Sequence, residues 1–285
     1  MIWPRSIADL RRARSLIDAG KAQGLYIGEH PEGAYIPKSL AELAEFQDTV
    51  SIRFGRVSQT LFAGLGAFSR LEALWCEEIP PLDMSLFTRL RRFAFFASAK
   101  FDVGFAAPRL NTLLVSKSAA QNCRFLEAYK DLEELSLLQA SKLKSLDGIE
   151  LAPKLGKLTL GFVPRLESIN ALAKCMSLQW FELHATKCIG SYGPAFRTPQ
   201  LHTLILSKCP GLESIKLVSR LKHLEHLALV DTDVKDGDLH PLMQLVTLRH
   251  VGIYPDKKHF SPRAVEVARA VESRARQAAK KKGSA

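Results

Sequence analysis

One short pattern recurs along this chain with so little variation in spacing that it limits the fold to a narrow class. LEELSL begins at Leu132, LGKLTL at Leu155, LQWFEL at Leu178, LHTLIL at Leu201, LEHLAL at Leu224 and LRHVGI at Leu248. Upstream, LEALWC at Leu71, LRRFAF at Leu90 and LNTLLV at Leu110 keep the pattern, and the nine starts are separated by 19, 20, 22, 23, 23, 23, 23 and 24 residues. In the copy spanning 201–223, the apolar residues are Leu201, Leu204, Leu206, Cys209, Leu212, Ile215 and Val218. The two-residue step from 204 to 206 is that of a strand, and the later steps of three are those of a helix or tight turn. One strand and one return segment cannot enclose a core, so each copy must be covered by the next. Two weaker copies precede the nine: Leu25 and Ile27 fit a start near Ala22, and Val50 and Ile52 fit a start near Gln47.

The pattern LxxLxL resembles the leucine-rich repeat, whose motif continues LxxLxLxx(N/C)xL, and the resemblance covers residues 22–256. It implies an α/β leucine-rich-repeat solenoid, curved, with a parallel β-sheet on the concave face and short helices and turns on the convex face. Repeats of 22–23 residues are similar to the intracellular and internalin-like classes. The departure is at offset eight, where Asn or Cys is usual; here stand Ser98, Ser118, Ala140, Val163, Thr186, Cys209 and Thr232. Ala140 and Val163 cannot donate, so looser bends are expected there. The LPxLP signature of bacterial ubiquitin-ligase effectors is missing.

The expected organisation is an N-terminal capping helix in residues 1–21, a solenoid of nine to eleven repeats in 22–256, and a C-terminal capping helix with a basic disordered tail in 257–285. An array needs its first and last turns covered. Ser6 with Asp9 resembles a capping box for a helix over 4–19, and Gly20 is placed to end it. Ser39 with Glu42 is a second capping box. Residues 122–129 read as helical with Phe125, Leu126 and Tyr129 inward, and 190–199 as an irregular loop. Ser261 and Pro262 suit the N-cap and first turn of a last helix. On it Glu266 can pair with Arg269 and Glu272 with Arg276, while Val267 and Val271 dock on the final repeat. The end, KKKGSA, reads as disordered.

Charge separates the ends from the middle. The net charge is +11. Residues 257–285 hold nine Lys/Arg and two acids, and residues 1–25 hold five bases and two acids, which leaves +1 for residues 26–256. The repeats therefore lack the basic stripe of a nucleic-acid groove, and the alternative reading, nucleic-acid or anionic-surface binding, rests on the basic termini. Five widely spaced cysteines without a CxxC fit a reducing, cytoplasmic location. No apolar run is long enough to span a membrane, and charges interrupt the first fifteen residues too often for a secretory signal.

The repeat register sorts the strand residues. Offsets 0, 3 and 5 point to the core, and offsets 2, 4 and 6 to the groove. Groove positions gather into two clusters: Trp75, Glu77, Arg92 and Phe96, and then Trp180, Glu182, His184, Ile205, His226, His250 and Tyr254. Trp, Tyr and Arg in such positions are the usual anchors of interfaces. The competing reading is that each aromatic rests on a neighbour and binds nothing. His226 and His250 are adjacent in one column, and a solvated polar ladder explains them better than zinc, for want of a third ligand. No metal or cofactor is expected. No GxxxxGK[ST], GxSxG or HExxH occurs, Cys76 points inward and Cys209 sits at a turn, so the chain does not read as an enzyme. The expectation is a monomeric, non-enzymatic scaffold that binds a protein or peptide in the concave groove, with an inhibitor or immunity-type role as its specific version.

Overall fold

The computed structural model describes residues 1–29, 35–77, 79–107 and 109–282. The chain forms two compact units, Met1–Ala119 with Ala128–Leu132, and Ala120–Glu127 with Glu133–Ala285. The first unit holds helix α1 (Ile7–Asp18) and strands β1 (Gly24–Ile27), β2 (Ser51–Phe54), β3 (Ala73–Cys76), β4 (Arg92–Phe96) and β5 (Thr112–Ser116). These pair in sequence order, all parallel. The second unit holds β6 (Glu134–Leu138), β7 (Lys157–Gly161), β8 (Trp180–His184), β9 (Thr203–Ser207), β10 (His226–Val230), helix α2 (His240–Gln244), β11 (His250–Tyr254) and helix α3 (Ala264–Lys282). Its strands also pair parallel and in order.

Each of the nine clear repeats places its strand at the expected offset, and both weaker copies supply a strand. One register differs. Ile52 pairs with Leu74 and Phe54 with Cys76, so the second strand's repeat starts at Thr49 and not near Gln47. Thr49 is buried at offset 0, and Ile52 and Phe54 fill offsets 3 and 5. A two-residue alternation reads the same after a slip of two, so the apolar pattern alone could not separate the two starts.

Return segments are mostly single turns of 3-10 helix, such as Asn170–Lys174 and Lys216–Arg220. With about 23 residues per repeat, little chain is left for a full α-helix. The turn at Leu40–Phe46 carries the expected capping box between Ser39 and Glu42. Helix α1 starts at Ile7, where the Asp9 amide donates to Ser6 Oγ at 3.2 Å, and Gly20, at φ +68°, closes it. In 122–129 only Arg124–Ala128 is helical; Leu126 and Tyr129 are buried and Phe125 is half-buried. Helix α3 begins at Ala264, two residues later than Pro262, because Ser261 is held in a bridge to Asp238 and the Asp256 carboxylate accepts from the Ala264 amide at 3.0 Å. Glu266 receives the Arg263 amide at 2.9 Å, a first-turn role in place of the expected pairing with Arg269. Glu272 and Arg276 do pair, at 3.5 Å. The helix continues through Lys282, into the stretch expected to be disordered. Residues 283–285 lie outside those described.

The bends that follow β6–β10 are uniform. Gln139, Phe162, Ala185, Lys208 and Asp231 all stand at offset seven, and all have φ between 47° and 56°. Each donates its amide to the offset-six carbonyl of the next strand, at 2.7–2.9 Å. Ala140 and Val163 follow two of these residues, are fully buried, and sit in bends of the same geometry as the rest. The looser bends expected there are absent, because the backbone ladder fixes the bend without a side-chain donor. Thr186 and Thr232 add to it, donating to Val163 O and Leu206 O at 3.2 Å each.

Gly148 shows how closely the return segments approach. It has φ +96°, and a Cβ there would lie 2.6 Å from the Arg124 amide nitrogen and Cα. Gly148→Ala is expected to cost more than the roughly 1–2 kcal/mol of a left-handed alanine alone, since backbone must also move. Urea unfolding measures this, and an unchanged midpoint would show that the turn is not tight.

Candidate functional site on the open strand faces

In the second unit the face of β8–β11 opposite the core carries a shallow apolar recess of about 510 Å³. Trp180, Ile205 and Ala228 form its floor, His226 and His250 one side, and Glu272 of α3 its rim. The parallel register explains the grouping. Trp180, Thr203, His226 and His250 are consecutive partners across four strands, and Ile205, Ala228 and Gly252 follow two residues on. Small side chains at Ala228 and Gly252 leave the hollow that larger ones would fill. Thr203, though on this face, is only 5% exposed between its larger neighbours. The Trp180 indole N–H is buried with no acceptor, and Lys157 Nζ lies 5.4 Å from its ring centre.

His226 and His250 stack, with centroids 4.9 Å apart and planes at 6°. Partial burial, and then the neighbouring His250, hold the His226 pKa below the usual histidine range. Two imidazolium rings in that stack would repel, so the neutral form is favoured. His184 belongs to a different group. Its Nδ1 is 3.1 Å from Ser207 Oγ, and Phe162 meets it edge-on at 4.9 Å. Glu182 is half-buried beside Ile205 but does not line the recess, and Tyr254 stands 69% exposed at the end of β11. The structure thus brings Trp180, Ile205, His226 and His250 together, and leaves Glu182, His184 and Tyr254 around them.

In the first unit Trp75 and Phe96 meet edge to face at 6.2 Å. Glu77 faces Arg56 at 3.9 Å, and Lys117 Nζ lies 5.4 Å from the Phe96 ring centre. Arg92 is exposed, and its register partner is Ala73, not Trp75. The cation on Trp75 is Arg53, whose guanidinium carbon lies 3.8 Å from the ring centre. Arg53 also reaches to 5.7 Å from Tyr26, and Trp3 meets Tyr26 at 5.6 Å. Arg53 and Tyr26 are offset-four residues of the two weak repeats, and they escape a sequence reading that tabulates only the clear ones. Glu272 escapes because nothing in the sequence says which strands α3 lies beside. Phe162, 55% exposed at a left-handed position, escapes because offset seven belongs to neither face of a strand.

Other chemistry finds few parts. Among the described residues no three His, Cys, Asp or Glu side chains group as metal ligands. Burial pushes the Cys76 and Cys209 thiols above the usual cysteine range, away from thiolate character. Among the described residues no helix is long and apolar enough to cross a membrane.

No family model matches the chain. No curated protein matches it either. Solved structures do match. Internalin C2 from Listeria monocytogenes has a TM-score of 0.51 at 15% identity, covering 89% of this chain and 98% of that one. The PEPR1–AtPEP1 structure has a TM-score of 0.53 at 17% identity, covering 84% of this chain and 36% of that one. The TLR13–ssRNA13 complex has a TM-score of 0.53 at 13% identity, covering 86% and 46%. At these identities the likeness concerns the fold, and it agrees with the repeat motif and the ordered parallel strands: the chain has the leucine-rich-repeat fold.

Proposed function

We propose that this chain is a non-enzymatic interaction protein that binds a protein or peptide partner on the open faces of its strands. The recess over Trp180, Ile205 and Ala228 carries the reading. A strand face turned to water has no packing need for tryptophan, and a hollow of small residues beside one suits an inserted side chain. Solved structures of this fold hold AtPEP1 on PEPR1 and ssRNA13 on TLR13, so the fold alone does not choose the partner's class. The apolar lining of the recess favours a polypeptide. The repeats and helices of the described residues offer mostly open surface, which suits an inhibitor or immunity-type role acting by occlusion. Its four buried free cysteines suit a reducing, cytoplasmic setting.

Binding of nucleic acid through the basic ends is the weaker reading, since several of those bases are already engaged. Arg14 joins Asp18 and Asp48, Lys257 joins Asp233, and Arg263 joins Asp256. Affinity capture from native lysate, comparing wild type with Trp180→Ala/Glu182→Lys, tests the proposal. The variant is expected to lose its partner and keep its melting temperature; capture undiminished by the double substitution would refute it.

A further inference from the structure

We propose that the open face of β2–β5 is a carboxylate-recognition site, built on the stacked guanidinium of Arg53, for an acidic segment of a polypeptide partner. The inference rests on the interaction reading above and names the chemistry of a second contact area, separate from the recess at Trp180. The Arg53 guanidinium carbon lies over the Trp75 ring, 3.8 Å from its centre, and 5.7 Å from the centre of the Tyr26 ring. Among the described residues no carboxylate or carbonyl accepts from its N–H groups, and none accepts from those of Arg92. A guanidinium resting over an aromatic ring keeps its N–H groups, a planar fork of donors, free for another acceptor. That is the geometry for bidentate recognition of a carboxylate, with less side-chain entropy left to lose on binding. Stacking supplies the order that an ion pair would otherwise supply, without using up the donors.

The surroundings favour an anion. Arg92 stands two strands from Arg53 and two residues back in register, about 12 Å away at the usual strand spacing and rise. Arg56 and Lys117 border the same face, with Glu77 at 3.9 Å from Arg56. An extended peptide rises about 3.3 Å per residue, so acids about three or four positions apart could meet Arg53 and Arg92 together.

A single-stranded nucleic acid would use the same cations differently. It needs free ring faces for its bases and a longer run of charge along its backbone. Here Arg53 covers Trp75, Trp3 and Arg53 border Tyr26, and Lys117 lies over Phe96. The rings are already used within the sheet face, and what remains outward is a small set of donors. An acidic polypeptide segment is the better match.

Selection of the full-length chain against a display library of random short peptides tests this, with a labelled oligo-uridine run in parallel. The enriched peptides should be rich in Asp and Glu and bind more weakly as salt rises. Their binding should fall about tenfold or more in Arg53→Ala, equivalent to about 1.4 kcal/mol. Arg53→Lys keeps the charge but not the planar fork and should also weaken them, and Arg92→Ala gives a second reading if Arg53→Ala melts early. Enriched peptides that depend on Trp180 but not on Arg53 or Arg92 would overturn this proposal and leave the interaction reading standing. Peptides indifferent to all three residues would overturn both. Preferential, Arg53-dependent binding of the oligo-uridine would overturn the peptide assignment in favour of nucleic acid.

Discussion

Phe181→Ala is expected to destabilise the fold by about 3–5 kcal/mol, whereas Trp180→Ala, one residue earlier on the same strand, should change stability little and binding strongly. The two side chains alternate across the sheet. Phe181 is fully buried and pairs in register with Leu158 and Leu204, which are also fully buried. Truncating it leaves a cavity bounded by strands whose backbone ladder prevents collapse, so most of the lost contact is not recovered. Leu204→Ala, in the next strand, should cost roughly 2–5 kcal/mol for the same reason. In a repeat array such a loss is local first. Each repeat rests on its neighbours alone, so weakening β8 uncouples the strands before it from those after it. Urea unfolding followed by far-UV circular dichroism should therefore show a lower midpoint for Phe181→Ala, with the single transition broadening or splitting. Trp180→Ala should retain the wild-type curve. If Phe181→Ala unfolds like wild type, the inward face has been assigned to the wrong parity.

That contrast also marks what the sequence could disclose. Leucine at offsets 0, 3 and 5 recurs for the physical reason that every repeat buries the same three points. The strands, their parallel order and the residues of the open face follow from counting. Trp180, Ile205, His226 and His250 were legible because four clear repeats in succession share one register. Arg53 and Tyr26 were not, because they lie in the two weak repeats, where the leucines give way to Ile52, Phe54 and Ile27 and the groove columns of the clear repeats do not reach. The left-handed residues at offset seven left no trace either: Gln139, Phe162, Ala185, Lys208 and Asp231 share a backbone conformation and no side-chain property. A bend held by amide-to-carbonyl bonds between neighbouring strands does not select its residue. The asparagine ladder at offset eight could therefore be missing without loosening the structure. Glu272 shows a third limit, since its place beside the recess depends on how α3 docks, and a helical pattern gives the buried face of a helix but not its neighbours.

Removal of everything after Asp256 is expected to damage the second unit severely, and the cause is packing more than charge. Helix α3 lies along β11 and α2 and completely buries Val267 and Val271, with Ala264 and Phe260 nearly so. Each fully buried valine contributes about 1.5–3 kcal/mol relative to exposure, before Phe260 is counted. Arg274 adds a polar clasp, donating to the carbonyls of Met243 at 2.6 Å and Leu245 at 2.7 Å. Both carbonyls belong to the return segment between β10 and β11, and they would lose these partners with the helix gone. Leu245, Leu248 and Val251, now 7%, 1% and 8% exposed, would meet water at the end of the array. The truncated chain should melt well below wild type or aggregate, and loss of binding in it would say nothing about the basic tail. Charge is isolated instead by Arg269→Gln/Arg276→Gln/Lys280→Gln, three exposed positions on α3 that leave Val267, Val271 and Arg274 in place. That variant should fold like wild type. If it keeps the partner at all salt concentrations, the basic end serves the fold as a cap; if it loses a salt-dependent part of the affinity, the positive face of α3 is part of the interface. A truncated chain that melts with wild type would show instead that the last repeat needs no cover.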